Sequence, residues 1–147
     1  MKTKGKCFQC GKIYSSAKAA EHLLDCVHSS TAPDNLSVVG YLIHISDVCQ
    51  PNLYWMLIAL PRDTSLGQLD QFLRDIWMEC CGHLSEFLIG ARRYISHTAS
   101  GRPSSSMKNK IEQLVGPGIN FGYIYDMGSS TELDLDVITQ LATCPSK

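Results

Sequence analysis

The sequence predicts an α+β fold: a small turn-plus-helix unit at the N-terminus, followed by a mixed or antiparallel β-sheet domain packed on one main helix. Three observations carry this expectation. Cysteine and histidine cluster within residues 7–28, in a segment too short to have much core of its own. Beyond residue 38, several short segments alternate apolar and other residues with the period of a strand, while one longer segment repeats apolar residues at helical spacing. Helix and strand signals do not alternate along the chain, which argues against a doubly wound parallel sheet.

The chain has 147 residues, enough for one domain of ordinary size or one domain with a small appendage. Hydrophobic residues make up 44% and charged residues 18%, a globular rather than a disordered composition. No segment reaches the run of about 18 apolar residues that a membrane span requires. The opening Met1-Lys2-Thr3-Lys4-Gly5-Lys6 leads into Cys7-Phe8-Gln9-Cys10 and not into an apolar signal core, so a soluble, cytoplasmic protein is expected, with no membrane partner. Seven cysteines, an odd number, disfavour a complete disulfide framework and favour metal ligation in a reducing compartment.

Three parts are expected: residues 1–28, a polar linker at 29–37 containing Pro33, and a main domain at 38–143. In the main domain Val39, Tyr41, Ile43 and Ile45 alternate with Gly40, Leu42 and His44 as in a strand. A turn at Pro51 leads to a second strand, Leu53 to Leu60, apolar on both faces and therefore expected at the centre of the sheet. Thr64 or Ser65 can cap the helix that follows. Leu66, Leu69, Phe72, Leu73, Ile76 and Trp77 mark its buried face, with Trp77 under the sheet, and Gln68, Asp70, Arg74 and Asp75 mark the other side. A hairpin around Gly90 joins residues 83–90 to 92–96. Residues 97–109 read as a mobile loop, and residues 110–114 as one helical turn. Two strands near 121–125 and 133–139 complete the chain, joined by a turn at Gly128-Ser129-Ser130.

The chemistry concentrates at Cys7, Cys10, His22 and Cys26. Two residues separate Cys7 from Cys10, so both thiolates can grip one ion from a tight turn, and Gly11 can adopt the positive φ such a turn favours. His22 and Cys26 lie four apart in a segment of good helix formers, so they project from one helix face. Two ligands from a turn and two from a helix give a tetrahedron, the geometry of structural zinc sites. His28, six residues from His22, would point elsewhere. The expected cofactor is therefore one structural Zn2+, with no position left for an activated water. Ile13, Tyr14 and Leu23 would supply the mini-core. The segment resembles the zinc-finger superfamily of turn-plus-helix modules, in a version with Cys as last ligand; Tyr14 matches the core aromatic, and the gap before His22 is one residue shorter than the commonest form.

From about Tyr41 to Ile138 the chain resembles the plasmid Ri open-reading-frame-three-like family, some members of which carry a transposon-resolvase description. The resemblance rests on Tyr54-Trp55 through Pro61 to Asp63-Thr64-Ser65-Leu66, on Ile76-Trp77 with His83-Leu84 and Glu86-Phe87, on Ile89-Gly90-Ala91-Arg92-Arg93-Tyr94, and on Phe121 to Gly128. It implies an α+β fold and a mobile-element association, without a settled activity. Met56-Leu57 stand where the family tends to have an Arg pair. Cys80-Cys81-Gly82 replace acidic residues, and Ser129, Thr131 and Leu133 replace an acid, Trp and His. A family site at these positions would be lost here.

The formal net charge of -1 selects no partner, but its distribution is uneven: residues 1–30 carry +3, from Lys2, Lys4, Lys6, Lys12 and Lys18 against Glu21 and Asp25, and the remainder carries -4. Arg92-Arg93 with Arg102, Lys108 and Lys110 could touch phosphates, although a solvated loop is the simpler account of them. No phosphate-cradling glycine motif, small-molecule cofactor motif or nucleophile triad is evident. The reading is a non-enzymatic zinc-binding interaction protein, with protein slightly favoured over nucleic acid as partner. The alternative is a hydrolase acting on nucleic acid through His83, Glu86 and Asp126. For His83 and Asp126 structural hydrogen bonds at strand ends are the simpler account, and for adjacent Cys80 and Cys81 buried thiols.

Overall fold

The structure, a computed structural model, describes residues 2–28, 39–78, 81–97, 101 and 104–142, with residues 27 and 28 described by backbone alone. The expected linker at 29–37, the His28 and Val27 side chains, Cys80 and Arg102 lie outside the described residues. Strands β1 (Lys4–Lys6) and β2 (Ile13–Ser15) form a small hairpin that feeds helix α1 (Ser16–His28). The main domain runs β3 (Gly40–Asp47), β4 (Trp55–Pro61), α2 (Leu66–Trp77), β5 (Ser85–Ile89), β6 (Arg92–Ile95), β7 (Asn120–Tyr125) and β8 (Thr131–Leu141). The six strands of this domain make one antiparallel sheet in the order β4-β3-β8-β7-β5-β6. The class is α+β, in the element order the sequence pattern gives.

Alternation places Tyr41, Ile43, Ile45, Phe87, Phe121, Tyr123, Leu135 and Val137 on one face, where they pack with Leu66, Leu69 and Leu73 of α2. Ser65 caps that helix in a capping box: its Oγ accepts from Gln68 N–H at 3.1 Å, and Gln68 Oε1 accepts from Ser65 N–H at 2.8 Å. Between β5 and β6 the chain reverses through Gly90, at φ +60°.

Four expectations need correction. The Leu53–Leu60 strand is not central; β4 is an edge strand. It is apolar on both faces because α2 lies over one and the N-terminal module over the other. Ile76 is 55% exposed and Trp77 only half-buried, whereas Asp70 faces inward and is buried. The helix turns a polar residue into the core because partners await it there. Within the segment read as a loop, Ser105–Lys108 form a 3-10 turn that buries Met107; the helical turn expected at 110–114 follows it as Ile111–Gln113 and buries Ile111. Cys81 is exposed, not a buried thiol.

The second face of the sheet carries Leu42, His44 and Ser46 beside Ala59, Leu57 and Trp55, by the register of β3 and β4. The N-terminal module docks here. Trp55 Nε1–H donates to Thr3 Oγ1 at 2.9 Å, and Thr3 N–H donates to the Asn52 carbonyl at 3.0 Å. Ser16 Oγ and His44 Nε2 lie 3.3 Å apart, and the His44 ring stacks near Trp55. Among the described residues no helix is long and apolar enough to cross a membrane.

Candidate metal centre

The hairpin turn between β1 and β2 is closed by two backbone bonds: Gly11 N–H donates to the Cys7 carbonyl at 2.8 Å, and Cys7 N–H to that of Lys12 at 2.9 Å. Gly11 takes φ +75°, which a side chain would resist. This turn presents Cys7 and Cys10. Helix α1 presents His22 and Cys26 one turn apart. The ligand atoms of these four residues all lie within 4.8 Å of one another, so the group could hold a metal ion. Cys10 Sγ and His22 Nε2 are 3.3 Å apart. Tyr14 stacks on the His22 imidazole with ring centroids 3.9 Å apart and planes 14° from parallel, which fixes the ring's orientation.

The electrostatics suit a cation. Burial by itself would raise the Cys7 thiol, but it is outweighed by hydrogen bonds from the Cys10 and Gln9 backbone and from the His22 and Cys10 side chains, which bring it down to about 6. Cys26 moves the other way: burial pushes it up, and so does its closeness to Cys7 and Cys10. Three thiols converging on one point cannot all ionise easily unless a positive ion is shared among them, and such an ion releases their protons on binding. The donor set and its geometry therefore fit a metal.

Of the expected mini-core, Tyr14 and Leu23 are half-buried and Ala19 is buried, but Ile13 is 64% exposed. Phe8, at the tip of the turn, is fully exposed.

His83, Glu86 and Asp126 do not come together. His83 Nε2 and Asp126 Oδ2 are 3.8 Å apart, but Glu86 sits on the opposite face of β5 from the α2 core and faces Arg93 at 3.5 Å. Asp126 serves a turn: at φ +58° its Oδ1 accepts from Gly128 N–H at 3.0 Å.

A polar cluster that the periodicity concealed lies under α2. Asp70 accepts from Ser85 Oγ at 2.6 Å, Tyr123 OH at 2.8 Å and Arg74 Nε at 2.9 Å. Arg74 also donates to the His83 carbonyl and to Ser85 Oγ, both at 2.7 Å, and lies over the Tyr125 ring. Burial, the Asp70 charge and its hydrogen bond hold the Tyr123 phenol neutral. Every member of this cluster is engaged by another, which is the signature of a structural network. The signal in the sequence was Asp70 and Arg74 at a spacing of four.

Fold and cluster together define the class: an α+β sheet domain carrying a hairpin-and-helix Cys3His group able to hold a metal. No family model and no curated protein matches this chain. Among solved structures, a crystal structure of MM3350, a protein of unknown function from Methanosarcina mazei Go1, is similar, with a TM-score of 0.57 at 18% identity. The match covers 73% of this chain and 61% of that one, so the chain spans about three fifths of that protein's length. The likeness is one of fold.

Proposed function

We propose that the chain is a zinc-binding, non-enzymatic interaction protein whose partner is another protein. The observation that carries this reading is the Cys7, Cys10, His22 and Cys26 group, in which three thiols and an imidazole converge within 4.8 Å. Thiolate-rich sets with one imidazole select zinc among common divalent ions, and four protein ligands leave no position for an activated water. The metal's role is then to fold the module and hold it on the sheet. The likeness to the plasmid Ri family, with its mobile-element association, is part of this proposal.

The preference for protein follows from charge and exposure. Five exposed lysines surround the module, but its net charge is small and the rest of the chain is acidic. The α1 positions Lys18, Ala19, Glu21 and Leu24 offer one candidate for base contact, Lys18, so sequence-specific readout is not supported. Phe8 offers a protein a fully exposed aromatic contact. The test is titration of short duplex and single-stranded DNA at two salt concentrations, alongside copurification from a native extract. Weak DNA binding and a copurifying protein are expected. Tight binding with a log-log salt slope of about -0.9 per phosphate contacted would overturn the protein preference.

A further inference from the structure

Among the described residues strand β4 pairs only with β3 and ends the sheet. Asp47 N–H donates to the Tyr54 carbonyl and Arg62 N–H to that of Val39, so even-numbered residues of this segment turn their backbone groups toward β3. By the alternation of antiparallel ladders, the N–H and C=O groups of Trp55, Leu57 and Ala59 point outward. No described residue pairs with them. Along this edge runs a groove of about 790 Å3, floored by β4, walled on one side by α2 and touched on the other by Phe8. Two large apolar side chains stand open beside it, Phe8 and Ile76, with Phe72 half-buried between α2 and the strand. An unpaired edge with apolar walls on both faces is the surface to which an extended peptide adds.

We propose that this edge docks an extended segment of another protein, which joins the sheet as an antiparallel strand. The inference rests on the protein-partner reading above and locates it. Backbone groups of the segment would bond to Leu57 and Ala59. Its side chains would alternate, one set over Met56, Ile58 and Phe72, the other toward Phe8. Charge sets what the two ends of the segment carry. Asp63, at the Pro61 end, is exposed and has no ion-pair partner among the described residues, and Lys6 of the N-terminal module borders the Trp55 end. An antiparallel segment enters at the Pro61 end, so it carries a basic residue near its N-terminus and an acidic one near its C-terminus. The groove is also continuous with the docked module through Phe8, Met56, Leu57 and Ala59, which line both clefts.

The test is to pan the zinc-loaded full chain against a displayed library of random dodecapeptides, then titrate an enriched peptide into isotope-labelled protein. Alternating apolar sequences with a basic residue toward the N-terminus are expected, shifting the Leu57 and Ala59 amides. Ala59→Pro removes an outward N–H without breaking a bond to β3, and should weaken binding about tenfold or more. A peptide N-methylated at alternate positions makes the same test on the unaltered protein. An enriched peptide that shifts other amides, or binds despite both changes, overturns the edge site but leaves a protein partner standing. Failure to enrich any peptide overturns the site; if DNA then binds with a steep salt slope, the protein-partner reading falls as well. Self-association abolished by Ala59→Pro would assign the edge to a second copy and contradict the proposal.

Discussion

Gly5 lies against the indole of Trp55, so close that a Cβ at Gly5 would stand 2.8 Å from Trp55 Cη2. The indole cannot swing away freely, because Nε1–H is bonded to Thr3 and the ring stacks near His44. Gly5→Val should therefore push the indole off its seat and loosen the module from the sheet. The four ligands do not depend on that contact. Tryptophan emission should shift to the red with metal content unchanged; emission identical to the parent would mean that the module does not dock through this contact.

Chelation should do more than unfold the module. Leu42, Leu57 and Ala59 lie on the face it covers, so its loss exposes apolar surface on β3 and β4. Amide spectra should lose the signals of residues 4–26 and shift those of β4, while the α2-side core, with Ile43, Leu69 and Leu135 fully buried, stays folded. Unchanged β4 amides after metal removal would contradict the docking.

Asp70 is a hub for three donors, with little solvent to replace it. Asp70→Ala leaves Arg74 without its counter-charge and should cost about 3–5 kcal/mol. Tyr123→Phe removes one donor and leaves Asp70 two others, so about 1 kcal/mol is expected. Denaturant unfolding measures both, and equal costs for the two variants would refute the hub.

His44 is held below its usual 6.5 chiefly by burial, with Asp136 and Asp134 pulling the other way. The folded state thus binds a proton less readily than the unfolded chain. Its contribution is intact above pH 6.5 and is lost as pH falls below it, toward the folded value. His44→Gln should flatten that part of the stability profile relative to the parent. A profile of the same slope in both proteins would remove His44 from the account.

Much of the fold was legible because alternation and helical spacing are local. The order of strands and helix, the Ser65 cap and the turn at Gly90 all follow from neighbours in sequence. The Cys3His group able to hold a metal was legible for the same reason, since its spacing encodes both a turn and a helix face. What escaped were facts set by distant partners. β4 looks central because two separate elements cover its faces, and only the folded arrangement shows that, among the described residues, it ends the sheet. Asp70 looks like a surface residue until Ser85 and Tyr123 are brought to it from β5 and β7. Trp77 looks like core because its spacing fits, but it sits at the last residue of α2, where the cover runs out.

The most direct measurement is the metal content of protein purified without added metal, by elemental analysis of the parent and of Cys7→Ser, Cys10→Ser, His22→Ala and Cys26→Ser. The account predicts one zinc per chain in the parent and a marked loss in each variant, because all four residues belong to one shell. A parent without zinc, or variants that keep it in full, would contradict the central claim.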